Sequence, residues 1–195
     1  MNDRVRIADV TVLSDDWYVL KKTTFDYQRR DGSWQRQSRE TYDRGNGACI
    51  LLYSAARRRV VLTRQFRLPA YVNGSADGML IEACAGLLDK EDPASCIRRE
   101  TEEETGFRVR EVHKAFEAYM SPSSVTERLY FFIGEYEPTD QRSAGGGDER
   151  EGEDIEVLEL NFDRALGMIE TGEICDGKTI MLLQYLALRG LITSG

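Results

Sequence analysis

The sequence predicts an α/β protein in which a small antiparallel sheet precedes a larger domain of strands and helices. Apolar and polar residues alternate through the first 44 residues, as they do in half-buried strands. Continuous apolar runs follow from residue 47, and helix-capping residues bracket a charged segment near the middle of the chain. With 195 residues, the chain has the length of one domain with a small appendage.

The composition excludes several classes of function. Hydrophobic residues make up 41% of the chain and charged residues 31%, which is typical of a globular protein. The net charge of −8 argues against a nucleic-acid partner, because a phosphate backbone requires a basic face. No apolar run approaches the roughly 18 residues of a membrane span, and the start lacks the apolar core of a signal peptide. We therefore expect a small-molecule partner, with no nucleic acid and no membrane.

Cysteine and histidine usage limits the chemistry. Cys49, Cys84, Cys96 and Cys175 include no Cys-x-x-Cys pair, so we interpret them as buried thiols of a protein in the reducing cytoplasm. The single histidine, His113, excludes a two-histidine metal site and is interpreted as a residue of a half-exposed strand. Catalysis is therefore expected to depend on carboxylates and a metal ion.

The N-terminal region, residues 1–44, is predicted to be a small sheet. Half-buried strands are predicted at 10–12, 17–20 and 24–27, and Asp-Gly within 30–33 favours a tight hairpin turn. Such a sheet buries little apolar surface by itself, so it needs a partner in its own chain or in another subunit.

The remaining chain is predicted to combine strands and helices. The predicted strands lie at 48–53, 60–63, 111–119 and 129–136, and the predicted later helices lie at 162–170 and 178–191. A glycine-rich segment, 143–147, is predicted to be flexible and precedes an acidic run over 148–156.

A central helix is marked by its ends and carries clustered carboxylates. Asp92 suits the N-cap position, with Pro93 after it, and Gly106 suits the C-terminal cap. Glu100 and Glu104 then stand four residues apart on one face. Oxygen ligands at this spacing suit Mg²⁺, with Mn²⁺ as the alternative ion, whereas the simpler interpretation is a solvated acidic face.

Two further charged residues complete this helix. Glu103 lies beside the Glu100–Glu104 pair, and Arg99 precedes Glu103 by four residues, so that Arg99 can orient the Glu103 carboxylate.

A P-loop spacing occurs at 172–179 but lacks the context of a nucleotide-driven switch. Helical periodicity, rather than a buried strand, precedes it, and the sixteen residues after Thr179 contain no carboxylate for Mg²⁺. Gly172 is instead expected to end one helix and Asp176 to cap the next. Lys178 in the first helical turn opposes the helix dipole, which favours a phosphate-binding role.

The central helix and its upstream loop resemble the Nudix box of nucleoside-diphosphate-X hydrolases. The matching positions are Glu91, Arg99, Glu100, Glu103, Glu104, Gly106 and Phe107. Thr101 replaces an apolar residue of the family pattern, and Ala85 stands where the family has glycine, with Gly86 one place later. The resemblance implies a Nudix α/β/α sandwich with a mixed sheet and a Mg²⁺-dependent pyrophosphatase.

The resemblance covers nearly the whole chain and favours one branch of the family. The matching segments are 44–47, 64–67, 85–89, 119–122 with 125–127, 144–147 and 176–179. They are most similar to the branch that hydrolyses GDP-mannose to GMP and mannose 1-phosphate. ADP-ribose pyrophosphatase is the alternative, and a non-catalytic nucleotide-binding domain of the same fold is a more distant one.

The resemblance also implies the metal site. The ligands carried over are the Ala85 carbonyl, Glu100, Glu104 and a carboxylate of the acidic run, for which Glu153 aligns best and Glu151 is the alternative.

The catalytic and substrate-binding residues come from the same resemblance. Glu127 is the candidate general base or a substrate-binding residue, and Glu103 and Arg99 complete the catalytic set. The substrate-binding residues carried over are Trp17, Arg39, Glu40, Arg67, Ala85, Gly86, Leu87, Glu104, Glu127 and Lys178. A core role for Trp17 and an ordinary strand-end charge for Arg67 remain as alternatives.

The resemblance further implies a homodimer in which the N-terminal sheet crosses to the other subunit. Residues 1–44 would then serve dimerisation and substrate contacts, and residues 45–195 would form the hydrolase domain.

Overall fold

A computed structural model describes residues 3–88 and 90–192 of the chain. Its contacts divide the chain into two units, one of Met1–Asn46 with Tyr119–Arg128 and one of Gly47–Ala118 with Leu129–Gly195. The sequence analysis divides the chain at residue 44 into two contiguous domains. It does not assign Tyr119–Arg128 to the N-terminal one, and the boundary at residue 44 stays a prediction. This segment joins the first unit through Tyr42, whose N–H donates to the Ser124 carbonyl at 2.8 Å.

The described part of the first unit contains an antiparallel sheet in the order β1-β2-β3. Its strands are β1 (Val5–Asp15), β2 (Val19–Gln28) and β3 (Trp34–Asp43). The predicted hairpin turn is confirmed, since Gly32 has a positive φ of 85° and the Arg29 N–H donates to the Ser33 carbonyl at 2.8 Å. The pairing of β1 with β2 shifts register between Ile7 and Asp9 and again between Val12 and Ser14.

Strand β1 is exposed along its whole length, so the predicted half-burial of the strand at 10–12 is wrong for the single chain. Its apolar side chains Ile7, Val10 and Val12 are 61%, 52% and 54% exposed. The prediction that this sheet buries little apolar surface is therefore confirmed for the single chain.

The second unit contains a mixed sheet of seven strands within the described residues, in the order β10-β5-β4-β9-β8, with β6 beside β5 and β7 beside β4. Strands β4 and β9 are parallel, whereas β4 is antiparallel to β5 and β7. The strands are β4 (Gly47–Ser54), β5 (Arg59–Phe66), β6 (Met79–Glu82), β7 (Cys84–Leu87), β8 (His113–Tyr119), β9 (Arg128–Glu135) and β10 (Glu156–Asn161).

Helices pack against this sheet and bury its centre. They are α1 (Leu68–Val72), α2 (Pro93–Thr105), α3 (Phe162–Thr171) and α4 (Gly177–Arg189). Strand β4 is buried on both faces: all of its residues are buried, and the side chains of Ile50 and Leu51 are fully inaccessible to solvent. Leu182 and Leu186 of α4 are equally buried, so α4 contributes its apolar face to the same unit.

The predicted central strands and later helices are confirmed, with ends that differ by a few residues. Gly172 ends α3 in the left-handed conformation (φ 81°), and the Asp176 side chain caps α4 by accepting from the Thr179 N–H at 3.0 Å. The segment with P-loop spacing is therefore a helix–turn–helix junction. Helix α1 and strands β3 and β10 were not predicted, and the separate strands predicted at 17–20 and 24–27 both overlap the single strand β2.

The cysteines are buried as predicted except for one. Cys49, Cys84 and Cys96 are buried thiols as predicted, but Cys175 is exposed, so the prediction is wrong there. Cys175 lies in the turn between α3 and α4, where the buried apolar position is taken by its neighbour Ile174. His113 is exposed at the start of β8, in agreement with its predicted strand role. The described helices include none that is long and apolar enough to cross a bilayer.

Candidate active site

The site is built on helix α2, whose ends are stabilised as the sequence predicts. The Asp92 carboxylate accepts the N–H groups of Ala94 and Ser95, both at 3.1 Å. Pro93 occupies the first helical position, and Gly106 closes the helix with φ 77°. These caps satisfy backbone groups that would otherwise be free at both ends of the helix, so they fix where α2 begins and ends.

Glu100 lies directly against the backbone of β7. A Cβ atom added to Gly86 would stand 2.2 Å from Glu100 Cδ and 2.3 Å from its Oε1. Glycine at this position therefore provides the space that the carboxylate occupies. Burial raises the pKa of Glu100, although the Arg99 guanidinium opposes that shift.

Glu104 is the most buried carboxylate of the helix, with 2% of its surface exposed. Its Oε2 atom has no hydrogen-bond partner among the described residues. Burial raises the pKa of Glu104 to about 8, the Cys84 thiol acts in the opposite direction, and the charges of Glu153 and Glu100 add to the rise. A buried carboxylate with a free oxygen is unfavourable by itself and favours a bound cation.

Arg99 connects the acidic residues at the surface of α2. Its guanidinium lies 2.9 Å from Glu103 Oε2, 3.0 Å from Glu100 Oε1 and 3.3 Å from Glu91 Oε2. The predicted Arg99–Glu103 pair is thus present, and Arg99 also holds Glu100. The predicted solvated acidic face applies to Glu103, which is half exposed, but not to Glu100 and Glu104.

The glycine-rich segment 143–147 is held against the C-terminal turn of α2. The N–H groups of Gly146 and Gly147 donate to the carbonyls of Glu104 and Glu103 at 2.9 and 3.2 Å. The prediction of a flexible segment is therefore wrong, because these bonds satisfy carbonyls that the helix end leaves free.

Glu153 is brought to the same place by this segment. A Cβ atom on Gly147 would stand 2.3 Å from Glu153 Oε2, and that oxygen accepts the Asp148 N–H at 2.9 Å. The charge of Glu153 contributes to the raised pKa of both Glu100 and Glu104, so the three carboxylates form one electrostatic cluster. The Glu151 side chain lies outside the described residues.

The donor set of this carboxylate cluster (Glu100, Glu104 and Glu153) fits a divalent cation. Hard oxygen atoms, one of them buried and unpartnered, are the ligands that such cations prefer. Among the described residues these side chains do not converge as a complete ligand set. Arg99 contacts Glu100, and the Asp148 N–H donates to Glu153.

A second cluster combines two cations with one buried carboxylate. Glu82, at the end of β6, is 3% exposed and accepts the Arg67 Nε–H at 2.6 Å through Oε2. Its Oε1 atom accepts the Lys178 ammonium. Arg67 is therefore not an ordinary strand-end charge. Lys178 also contacts Asp176 Oδ1 at 3.1 Å. Burial would lower the pKa of Lys178, but the carboxylates of Glu82 and Asp176 outweigh burial and raise it, so Lys178 is a cation.

The remaining predicted residues divide between the units. Ala85, Gly86 and Leu87 form β7, which pairs with β4 and contacts α2 in the second unit. Trp17, Arg39, Glu40 and Glu127 belong to the first unit.

Trp17 is 80% exposed, so its interpretation as a core residue is wrong. The Arg39 guanidinium donates to the Ser38 carbonyl at 2.8 Å, and Glu127 Oε1 lies 3.6 Å from Arg44 Nε.

The sequence analysis missed Glu82. The signal was a single charged residue inside the apolar run from Met79 to Leu88, because such a residue is buried only when it is paired.

Two family profiles match the chain. The profile described as GDP-mannose pyrophosphatase NudK N-terminal domain matches residues 4–42, and the NUDIX domain profile matches residues 43–180.

Curated relatives match the whole chain. A protein named GDP-mannose pyrophosphatase from Pectobacterium atrosepticum is 54% identical over 195 residues, covering 100% of both chains. One of the same name from Enterobacter sp. is 55% identical over 192 residues, covering 98% of this chain and all of the relative. Among solved structures, an ADP compounds hydrolase superposes with a TM-score of 0.70 at 15% identity, covering 97% of this chain and 98% of the other, which shows the fold. The chain belongs to the Nudix hydrolase family.

Proposed function

We propose that the chain is a Mg²⁺-dependent pyrophosphatase that hydrolyses GDP-mannose to GMP and mannose 1-phosphate. The observation that carries the proposal is 54–55% identity, over at least 98% of this chain, to proteins named GDP-mannose pyrophosphatase. The carboxylate cluster supports it, because a domain that only binds a nucleotide has no need of a buried carboxylate with an unpartnered oxygen.

Nudix hydrolases generally use divalent metal ions, and Mg²⁺ is the ion proposed for this chain. The residues that would hold it are Glu100, Glu104, Glu153 and the Ala85 carbonyl. Mg²⁺ bound there would neutralise diphosphate charge and lower the pKa of coordinated water. The free Oε2 atom of Glu104 supports this assignment.

The chain's own residues would bind the substrate and move the proton. Arg67 and Lys178 supply fixed positive charge for the diphosphate oxygens. Arg99 orients Glu103 and Glu100. Glu127 accepts the proton of the water that attacks a phosphorus atom of the diphosphate, and the P–O bond to the departing phosphate breaks.

The remaining substrate contacts of this proposal are the ones that the family resemblance assigns. Trp17 offers an exposed ring for stacking on a base, and Arg39 and Glu40 offer polar groups on β3. Ala85, Gly86 and Leu87 line the substrate from β7. We further propose a homodimer in which the N-terminal sheet covers the partner, since β1 exposes its apolar side chains in the single chain. The buried cysteine thiols support a reducing, cytoplasmic location.

The proposal is tested by product analysis. The purified chain with Mg²⁺ is given GDP-mannose or ADP-ribose, and products are separated by ion-pair chromatography. We expect GMP and mannose 1-phosphate, with a higher kcat/KM for GDP-mannose than for ADP-ribose. Faster release of AMP from ADP-ribose would instead assign the chain to the ADP-ribose pyrophosphatase branch. No cleavage of either substrate would refute the proposed reaction.

A matched pair of variants tests the metal helix. Glu104→Gln removes the charge of the buried carboxylate and is expected to abolish turnover without unfolding the chain. Glu102→Gln makes the same change on the same helix, where the Glu102 carboxylate pairs with Arg108. It should retain normal turnover. Equal activity of the two variants would contradict the assignment of Glu104.

The proposed dimer is tested by sedimentation velocity of the full chain. A species of twice the chain mass of 22.2 kDa is expected. A monomer at micromolar concentration would contradict the dimer while leaving the proposed reaction untouched.

A further inference from the structure

Glu82 engages two cations that are far apart in sequence. Its Oε2 atom binds Arg67, which follows β5, and its Oε1 atom binds Lys178 in the first turn of α4. Because both oxygens belong to one carboxylate, the guanidinium and the ammonium are both held within hydrogen-bond distance of a single carboxyl group. Arg67 is also close enough to oppose the positive charge of Lys178. Without Glu82, the two cations would repel each other.

The backbone around Glu82 is fixed from both sides. The Thr63 hydroxyl of β5 donates to the Glu82 carbonyl at 3.2 Å, and the next N–H, of Ala83, donates to the Thr179 hydroxyl at 2.6 Å. Thr179 is fully buried in the first turn of α4. The carboxylate is therefore anchored to the same two elements that carry its cations, so its own position is set before any ligand arrives.

The two cations keep donors for a further anion. Arg67 uses Nε toward Glu82, and its side chain is 40% exposed. A guanidinium has five N–H donors, so the terminal nitrogens can still make a bidentate contact with a phosphate. Lys178 contacts Glu82 and Asp176, which leaves one of its three N–H donors.

We propose that Glu82 is a positioning residue that holds Arg67 and Lys178 together as a preformed receptor for the diphosphate of the substrate. This inference rests on the proposed function, since it assigns a diphosphate ligand to the cation pair. The observation behind it is the chelation of both cations by one anchored, buried carboxylate. Asp176 assists by holding Lys178, but it contacts only one of the two cations.

Calorimetric titration with GDP and with guanosine, in the presence of Mg²⁺, tests the proposal without requiring turnover. Glu82→Gln is expected to weaken GDP binding by about tenfold to a hundredfold, the usual effect of disturbing hydrogen bonds to a charged group. Guanosine has no phosphate and should bind both proteins equally. Asp77→Asn is the matched control, because Asp77 pairs with the exposed Arg64 outside this cluster. It should leave both affinities unchanged.

A second variant covers the case in which Glu82→Gln does not fold. Glu82→Asp keeps the charge but is shorter by one methylene, so it cannot reach both cations, and the same selective loss of GDP affinity is expected. A merely structural ion pair predicts a lower melting temperature with an unchanged ratio of GDP to guanosine affinity. That result, or a wild-type chain that binds GDP no better than guanosine, would overturn the proposal. Absence of GMP release from GDP-mannose would instead refute only the proposed reaction.

Discussion

The close approach of Glu100 to Gly86 predicts that Gly86→Ala weakens metal binding. In Gly86→Ala the new methyl group would stand 2.2 Å from Glu100 Cδ. Carbon atoms in contact prefer about 3.5–4.0 Å, so the carboxylate must retreat by about 1.3 Å or more. Metal–ligand distances tolerate only about 0.2 Å, and the displaced oxygen would therefore leave the coordination sphere.

The same substitution should scarcely change stability. Gly86 has no positive φ, so its backbone accepts alanine, and the group that must move is the end of a flexible side chain. Breaking the partly exposed Arg99–Glu100 contact costs at most about 1 kcal/mol. We therefore expect an unchanged melting temperature to within a few degrees, together with about a hundredfold loss of kcat/KM.

Two assays separate the metal effect from a substrate effect. Mn²⁺ takes the ligands of Mg²⁺ and can be titrated by electron paramagnetic resonance in the absence of substrate. We expect at least about tenfold weaker Mn²⁺ binding by Gly86→Ala. Gly167→Ala in α3 is the control, because its methyl group meets no atom within 4 Å and should not alter binding. Wild-type Mn²⁺ affinity in Gly86→Ala would refute the role assigned to Glu100.

Three other substitutions test the fold and the first unit. Asp92→Ala removes the N-cap of α2 and should destabilise the chain by about 1 kcal/mol in urea denaturation; no loss would argue against the cap. Burial would raise the pKa of Glu159, but the Tyr136 hydroxyl and Arg57 lower it below its ordinary value of 4.5. The ionised carboxylate therefore stabilises the fold above pH 4.5, and this contribution disappears as the pH falls through the lowered pKa. Glu159→Gln should therefore show a flatter decline of the free energy of unfolding below about pH 5 than wild type, and parallel curves would contradict this. Trp17→Ala should raise KM for GDP-mannose severalfold with unchanged stability, because the ring is 80% exposed, and an unchanged KM would remove Trp17 from the substrate contacts.

Local signals in the sequence predicted helices α2, α3 and α4. Asp92 and Gly106 mark the ends of α2 because caps act on backbone groups within a few residues. For the same reason Gly172 and Asp176 identified the junction of α3 and α4, despite its P-loop spacing.

Features that depend on distant contacts were not predictable in this way. The segment 143–147 has the composition of a flexible linker, but carbonyls of α2, some forty residues earlier, hold it in place. The segment Tyr119–Arg128 joins the first unit through pairing with Tyr42. Glu82 gains its role only when β6 meets α4, almost a hundred residues later in the chain.

The interruptions in strand β1 limit how the N-terminal sheet can grow. A long exposed edge with apolar side chains could template endless strand addition, as in fibre formation. The register shifts after Ile7 and after Val12 divide β1 into short stretches whose backbone groups change alignment. A strand added to this edge could keep its hydrogen bonds in register along only one of these stretches. Closed, finite association through side chains is thereby favoured over open-ended polymerisation of the chain.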